Sequence, residues 1–94
     1  MFIVRTTFTA RPGMASKLAR LLKDVMTESL HAKVRVMTDY VGPMNTIVAD
    51  MEVNELADFE KSLKEYAERT DVREKMQGYT DLYLTGLREI YRVV

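Results

Sequence analysis

The chain has 94 residues, 47% hydrophobic and 30% charged, which are the proportions of a single soluble globular domain covering residues 1–94. Its 14 basic and 14 acidic side chains cancel, so the counterion release that drives nucleic-acid binding is not favoured and we expect no nucleic-acid partner. With no Cys and one His, disulfides, thiolate zinc sites and multi-His metal sites are excluded, and we predict neither a metal nor a cofactor.

The beginning of the chain gives no signal for export or for membrane insertion. Residues 1–5 lack a basic segment followed by a long apolar stretch. No apolar run approaches the roughly 18 residues that a membrane-spanning helix needs. We therefore expect a cytoplasmic protein without a membrane partner, and the absence of Cys fits a reducing compartment.

The first two predicted elements are a strand and a helix. Residues 2–10 alternate with period two, which predicts a strand that Arg11-Pro12-Gly13 ends. From Met14 onward the apolar residues recur at helical intervals, which predicts one amphipathic helix of about 16 residues that ends near His31. Its apolar stripe consists of Met14, Leu18, Leu21, Leu22, Val25 and Leu30.

Two further strands and a second helix follow. Residues 33–41 and 46–53 have strand patterns, and the short connection through Gly42-Pro43 predicts an antiparallel hairpin. Asn54 is placed as the N-cap of a second helix. The apolar stripe of that helix consists of Leu56, Phe59, Leu63, Tyr66 and Ala67.

The last third of the chain predicts a further helical stretch and a final strand. The stretch restarts at Thr70 or Asp71, is weakened by Gly78 and is ended by Gly86, and residues 87–94 form the strand. The order β-α-β-β-α-β is that of the ferredoxin-like fold in the α+β class. This fold has a four-stranded antiparallel sheet with two helices on one face.

The face of the sheet without helices would meet water in a monomer and should then be polar. Instead, the residues that we assign to it mix apolar and charged types: Ile3, Arg5, Met37, Asp39, Arg88, Ile90 and Arg92. A half-apolar face on so short a chain predicts a homodimer through this open face. A monomer with a partly apolar sheet is the alternative.

Four segments carry a resemblance to known proteins: MFIVRTTFTARPG at the start, YVGPMNTIVADMEV (40–53), NELADFEKSL (54–63) and LREIYRVV (87–94). Through them the whole chain resembles the dimeric α/β-barrel superfamily, near the antibiotic-biosynthesis monooxygenase and NIPSNAP-like families. The resemblance is one of architecture and element order. It implies ferredoxin-like protomers that pair sheet to sheet, and a pocket for a small molecule.

Members of this superfamily include cofactor-independent oxygenases of aromatic polyketides, haem-degrading enzymes, isomerases and proteins without known activity. The haem-degrading members use an Asn, a Trp and a His. This chain has no Trp, and its single His lies at the end of the first predicted helix, which argues against haem chemistry. The resemblance therefore implies a pocket without implying a particular reaction.

Arg5 and Asn45 are the first two candidate ligand-binding residues. Arg5 lies mid-strand on the open face, where its guanidinium needs either an acidic partner, such as Asp39 or Asp50, or an anionic ligand. Asn45 follows Gly42-Pro43 and either presents its amide to a pocket or serves as a turn residue.

Tyr79 and Tyr83 are the other two candidates. They are four residues apart and so share one face of the predicted helix, with Met76 one turn earlier. Hydroxyls at the edge of an apolar cavity orient planar ligands, whereas the same spacing also fits a packing stripe.

These patterns predict a small-molecule-binding homodimer whose pocket lies between sheet and helices and is lined by Met and Tyr for an apolar or aromatic ligand. Two classes of function remain open. One is a cofactor-independent oxygenase or isomerase whose catalytic residues the sequence does not identify. The other is a non-catalytic dimeric binding or interaction module, which predicts a filled interior.

Overall fold

A computed structural model describes residues 1–29 and 32–94 of the chain. Within these ranges four strands form one antiparallel sheet in the order β2-β3-β1-β4, and helices pack on one of its faces. The predicted ferredoxin-like α+β fold is confirmed. The elements are β1 (Phe2–Ala10), α1 (Ala15–Ser29), β2 (Val34–Thr38), β3 (Thr46–Val53), α2 (Leu56–Glu68), α3 (Thr70–Lys75), a 3-10 helix (Tyr79–Asp81) and β4 (Tyr83–Arg92).

The core lies between the central strands and α1. Alternation along β1 and β3 places their apolar side chains on one face, with Val4 opposite Met51 and Phe8 opposite Ile47. The residues of α1 that point at this face are fully buried: Leu18, Leu22 and Val25. By contrast, α2 contributes no buried residue. The space beneath α2 is therefore less completely filled than the space beneath α1.

The bounds of several predicted elements change. The strand predicted over residues 33–41 ends at Thr38. Glu55, rather than the predicted Asn54, is the N-cap of α2, and no side chain there caps the helix. The predicted end of the first helix near His31 lies outside the described residues. None of the α-helices in the described ranges is long and apolar enough to cross a membrane.

The prediction that Gly86 ends a helix is wrong, because β4 already begins at Tyr83 and pairs with almost the whole of β1. The helix α3 ends at Lys75, and the chain then turns through Gly78, whose φ of 81° lies in the left-handed region that favours glycine. Gly86 lies opposite Phe8, and a Cβ added to it would be 3.2 Å from the Phe8 ring. Here glycine permits close packing between neighbouring strands.

The face assigned to the alternate residues of β4 is also wrong. Ile90 pairs with Val4, and Arg88 pairs with Thr6. Because cross-strand partners share a face, Arg88, Ile90 and Arg92 lie on the helix side. The open face of β4 carries Leu87, Glu89 and Tyr91 instead, so this face still mixes apolar and charged side chains.

Candidate functional site

A cavity of about 150 Å3 lies between the sheet and the helices. Its floor is the helix side of β1, β3 and β4, and its roof comes from α1, α2 and the segment after α3. The cavity lies at the predicted position, and its lining includes methionines and tyrosines. Most of the lining is apolar: Val4, Thr6, Phe8, Leu22, Met26, Ala49, Met51, Phe59, Ser62, Leu63, Tyr66, Met76, Tyr79 and Arg88.

Among the described residues of this lining, Arg88 is the one with a formal charge. Its Nε donates a hydrogen bond to Oγ1 of Thr6 at 3.2 Å. Its guanidinium carbon lies 5.5 Å from the centre of the Phe59 ring, within the range of a cation–π contact. Thr6 on the sheet and Phe59 on α2 therefore hold the guanidinium from two sides.

Two tyrosines provide hydroxyl groups in the lining. Burial raises the pKa of Tyr66, and the neighbouring Tyr79 raises it further. Burial also raises the pKa of Tyr79; Tyr83 adds to this effect, and Arg88 opposes it. Both hydroxyls therefore stay protonated near neutral pH, where they can donate hydrogen bonds but cannot act as bases.

The candidates Tyr79 and Tyr83 are brought together, but not on one helix. Tyr79 lies in the 3-10 helix, and Tyr83 is the first residue of β4. Their ring centres are 5.7 Å apart, and the Tyr83 ring also packs 4.8 Å from that of Phe8. Tyr79 lines the cavity, whereas Tyr83 lies behind it and supports Tyr79 and Phe8.

Arg5 lies on the opposite side of the sheet from the cavity, where it pairs with Asp50. Its Nε and Nη2 donate to the two carboxylate oxygens of Asp50 at 2.8 and 2.9 Å. Nη2 of Arg35 is 4.0 Å from the same carboxylate, and Asp50 is 4% exposed. Asp39, the other predicted acidic partner of Arg5, accepts a hydrogen bond from the backbone amide of Thr46 instead.

Asn45 lies in the turn that leads into β3. Its φ of 63° is left-handed, a conformation that Asn tolerates better than most residues. Its backbone carbonyl accepts a hydrogen bond from the amide of Ala10 at 2.8 Å. This geometry matches the turn interpretation, and Asn45 does not line the cavity.

The sequence does not indicate Arg88 and Thr6 as site residues, and it does not single out Tyr66 among the tyrosines. Apolar residues occur at both odd and even positions of β4, so alternation alone does not indicate which face Arg88 occupies. The register with β1 is the signal that identifies it, since Thr6 and Arg88 are direct cross-strand partners. Tyr66 was assigned to the α2 stripe, whose inner side proves to be the roof of the cavity.

No protein-family model and no curated protein matches the chain. Among solved structures, a NIPSNAP domain protein from Burkholderia xenovorans has a TM-score of 0.85 at 12% identity, over 100% of this chain and 95% of that chain. A NIPSNAP family protein from Agrobacterium tumefaciens has a TM-score of 0.88 at 12% identity, over 99% and 92%. For a candidate antibiotic biosynthesis monooxygenase from Chloroflexus aurantiacus the TM-score is 0.76 at 15% identity, over 99% and 92%. The chain therefore shares the ferredoxin-like fold of these proteins, as its sequence resemblance implied.

Proposed function

We propose that the chain binds a small, mainly apolar molecule with one ring in the cavity between its sheet and helices. The composition of the cavity carries this proposal. Its walls are apolar except for Thr6, Ser62, Tyr66, Tyr79 and Arg88. A cavity on the order of 150 Å3 can hold a benzene ring. Apolar walls with a few orienting polar groups are typical of small-molecule sites.

The proposal extends to what the site can do to a bound molecule. The protonated hydroxyls of Tyr66 and Tyr79 can polarise an oxygen atom of the ligand. Among the described lining residues there is no carboxylate and no imidazole that could remove a proton from carbon. This lining favours simple binding over an isomerase with a side-chain base, and an oxygenase reaction here would need a substrate that ionises without such a base. Oxygen uptake with hydroquinone tests for that reaction, because a non-catalytic module would bind the ring without uptake.

The assembly that we propose is a homodimer through the open face. Across the four strands this face carries a row of alternating charges: Arg35, Asp50, Arg5 and Glu89. A twofold axis parallel to the strands reverses the row in the second copy, so that each cation meets an anion. The four strands are 5 to 10 residues long and about 4.8 Å apart, and together they present roughly 500 Å2 per copy. Two copies would bury about 1,000 Å2, the smallest area expected of a specific interface.

Ligand binding is tested by nuclear magnetic resonance on protein labelled with 13C at the methionine methyl groups. Met26, Met51 and Met76 line the cavity, whereas Met44 is 80% exposed on the loop before β3. Titration with benzamide, a neutral one-ring compound, should shift the first three signals and leave that of Met44 in place. A native mass spectrum of the purified protein would show any ligand that co-purifies, together with the mass of the dimer.

A matched pair of variants on α2 separates binding in the cavity from binding elsewhere. Ser62→Leu adds bulk to the cavity lining and should weaken benzamide binding at least about tenfold. Ala57→Leu adds bulk to the exposed side of the same helix and should leave binding unchanged. Equal affinities in the two variants, or no shift of the cavity signals in the unmodified protein, would contradict the proposed function.

A further inference from the structure

Arg88 lies at the mouth of the cavity. Of the fourteen lining residues, Leu63 and Arg88 are exposed and the others are buried or half-buried. The cavity therefore opens to solvent beside these two residues. A ring that enters would have its inner end against the apolar walls and its outer end beside the guanidinium.

Among the described residues, no carboxylate pairs with Arg88. The contacts of its side chain are the hydroxyl of Thr6 and the ring of Phe59. The adjacent Glu89 faces the other side of the sheet, where it accepts a hydrogen bond from Tyr91. The described lining of the cavity contains no acidic side chain that could balance the charge.

The contacts of Arg88 also orient its remaining donors. The guanidinium carbon lies over the Phe59 ring, and the Thr6 hydroxyl accepts the hydrogen bond of the Nε–H group. Both Nη groups lie in the guanidinium plane, and their N–H groups match the spacing of the two oxygens of a carboxylate. The hydroxyl of Tyr79 lines the same cavity and would be a further hydrogen-bond donor for the bound carboxylate.

We propose that the ligand is a monocyclic aromatic carboxylate whose ring fills the cavity and whose carboxylate is bound by Arg88 at the mouth. This inference rests on the proposed function, to which it adds the charge and the orientation of the ligand. When the ring enters, it displaces water from around Arg88, and the carboxylate replaces that water with charge-assisted hydrogen bonds. A neutral one-ring compound of the same size offers the guanidinium only uncharged, weaker hydrogen-bond acceptors.

The test compares benzoate with benzamide in the methionine-methyl titration of the whole chain. Benzoate should bind about tenfold more tightly than benzamide. Arg88→Gln should remove that preference, so that benzoate and benzamide bind to this variant with affinities within about twofold of each other. Arg92→Gln is the matched control, since Arg92 lies on the same face of β4 and stacks 5.7 Å from Phe2 but does not line the cavity. It should keep the full preference for benzoate.

The outcomes separate the two proposals. If benzamide and benzoate bind equally well, or if Arg88→Gln keeps the preference for benzoate, the inference is overturned and the one-ring site stands. If neither compound shifts the signals of Met26, Met51 and Met76, both the inference and the proposed function are overturned. If both Arg92→Gln and Arg88→Gln lose the preference for benzoate, that preference comes from the overall positive charge of β4. This outcome would also overturn the inference.

Discussion

At the scale of single residues, the carboxylate of Asp50 depends on one partner more than on the other. Arg5 donates two hydrogen bonds to it, whereas Arg35 approaches only to 4.0 Å with a side chain that is 72% exposed. Removing one partner of a buried ion pair leaves a charge without compensation, which costs far more than losing a surface pair. The two arginines therefore form a natural comparison on the same acceptor.

We expect Arg5→Met to lower the free energy of unfolding by about 2 kcal/mol, below the range for fully buried pairs because Arg5 is half-exposed. Arg35→Met should cost less than about 1 kcal/mol. Urea denaturation measures both values. Arg5→Met combined with Asp50→Asn should recover part of the loss, because the carboxylate is then no longer charged. Equal losses in the two single variants would contradict this ranking.

The cavity tyrosines predict a loss of stability in alkali. Burial raises the pKa of Tyr66 and of Tyr79 above the ordinary value of 10.0. Their unfolded forms therefore ionise first, so the stability they contribute is fully present below pH 10.0 and is lost as the pH rises through their folded pKa. The free energy of unfolding should fall less steeply above pH 10 in Tyr66→Phe and Tyr79→Phe than in the unmodified chain.

Urea denaturation across the alkaline range measures this slope. Tyr40→Phe is the control. Tyr40 is 100% exposed in the loop before β3, so this substitution removes no buried hydroxyl. An identical slope in all three variants and in the unmodified chain would refute the link between burial and alkaline stability.

At the scale of elements, the sequence predicts the parts of the fold that have a single period. The bounds of β1 and β3 and the start of α1 follow from alternation and from the helical stripe, because burial on one face selects those residue types. For the segment from Met76 to Gly86 the same method predicts the wrong secondary structure. A spacing of four between two tyrosines fits a helix, but here a 3-10 turn followed by a strand produces it.

The same limit applies to the candidate site. The place of the cavity and its Met and Tyr lining could be predicted, since they follow from the fold and from residues on the inner sides of the helices. Arg88 could not, because its face depends on the register of β4 against β1. Register is fixed by pairing along the full length of both strands, and no local pattern in β4 encodes it.

Gly86 provides a test at the scale of the β1–β4 pair. A methyl group at this position would lie 3.2 and 3.3 Å from two atoms of the Phe8 ring, so the ring, which packs on Tyr83 and lines the cavity, would have to shift slightly. We expect Gly86→Ala to lower the free energy of unfolding by about 1–2 kcal/mol. Thr85→Ala on the neighbouring position is the control and should cost less than about 0.5 kcal/mol. Thermal unfolding compares the two variants. An unchanged free energy of unfolding in Gly86→Ala would contradict this expectation, because it would mean that the Phe8 ring shifts at no energetic cost.

At the scale of the whole molecule, the chain is a slab of 35 × 35 × 18 Å, one sheet and one layer of helices thick. If the open face is the dimer interface, a charge introduced there loses its hydration when the dimer forms and gains no compensating partner. Leu87→Asp changes a 59% exposed residue on that face, and we expect it to weaken dimerisation at least about tenfold. Leu56→Asp changes a 44% exposed residue on α2 and serves as the control.

Size-exclusion chromatography with light scattering reads the result against the chain mass of 10.9 kDa. The unmodified chain and Leu56→Asp should give twice that mass, and Leu87→Asp should give the mass of one chain at low concentration. A single-chain mass for the unmodified protein would contradict the proposed homodimer.

The methionines in the cavity make the site vulnerable to oxidants. A sulfoxide is polar, so oxidation of Met26 or Met76 would place a strong hydrogen-bond acceptor in a wall that otherwise contacts an apolar ring. Met44, at 80% exposed, should react first and harmlessly, whereas Met51, at 3%, should react last. A mass gain of one oxygen atom per chain therefore indicates oxidation at Met44, which leaves the ligand site intact. Met1 and Met14, at 50% and 36% exposed, also lie outside the cavity lining. Additions at Met26, Met51 or Met76 mark a protein whose ligand site has become polar and in which a reductase specific for methionine sulfoxide should restore binding.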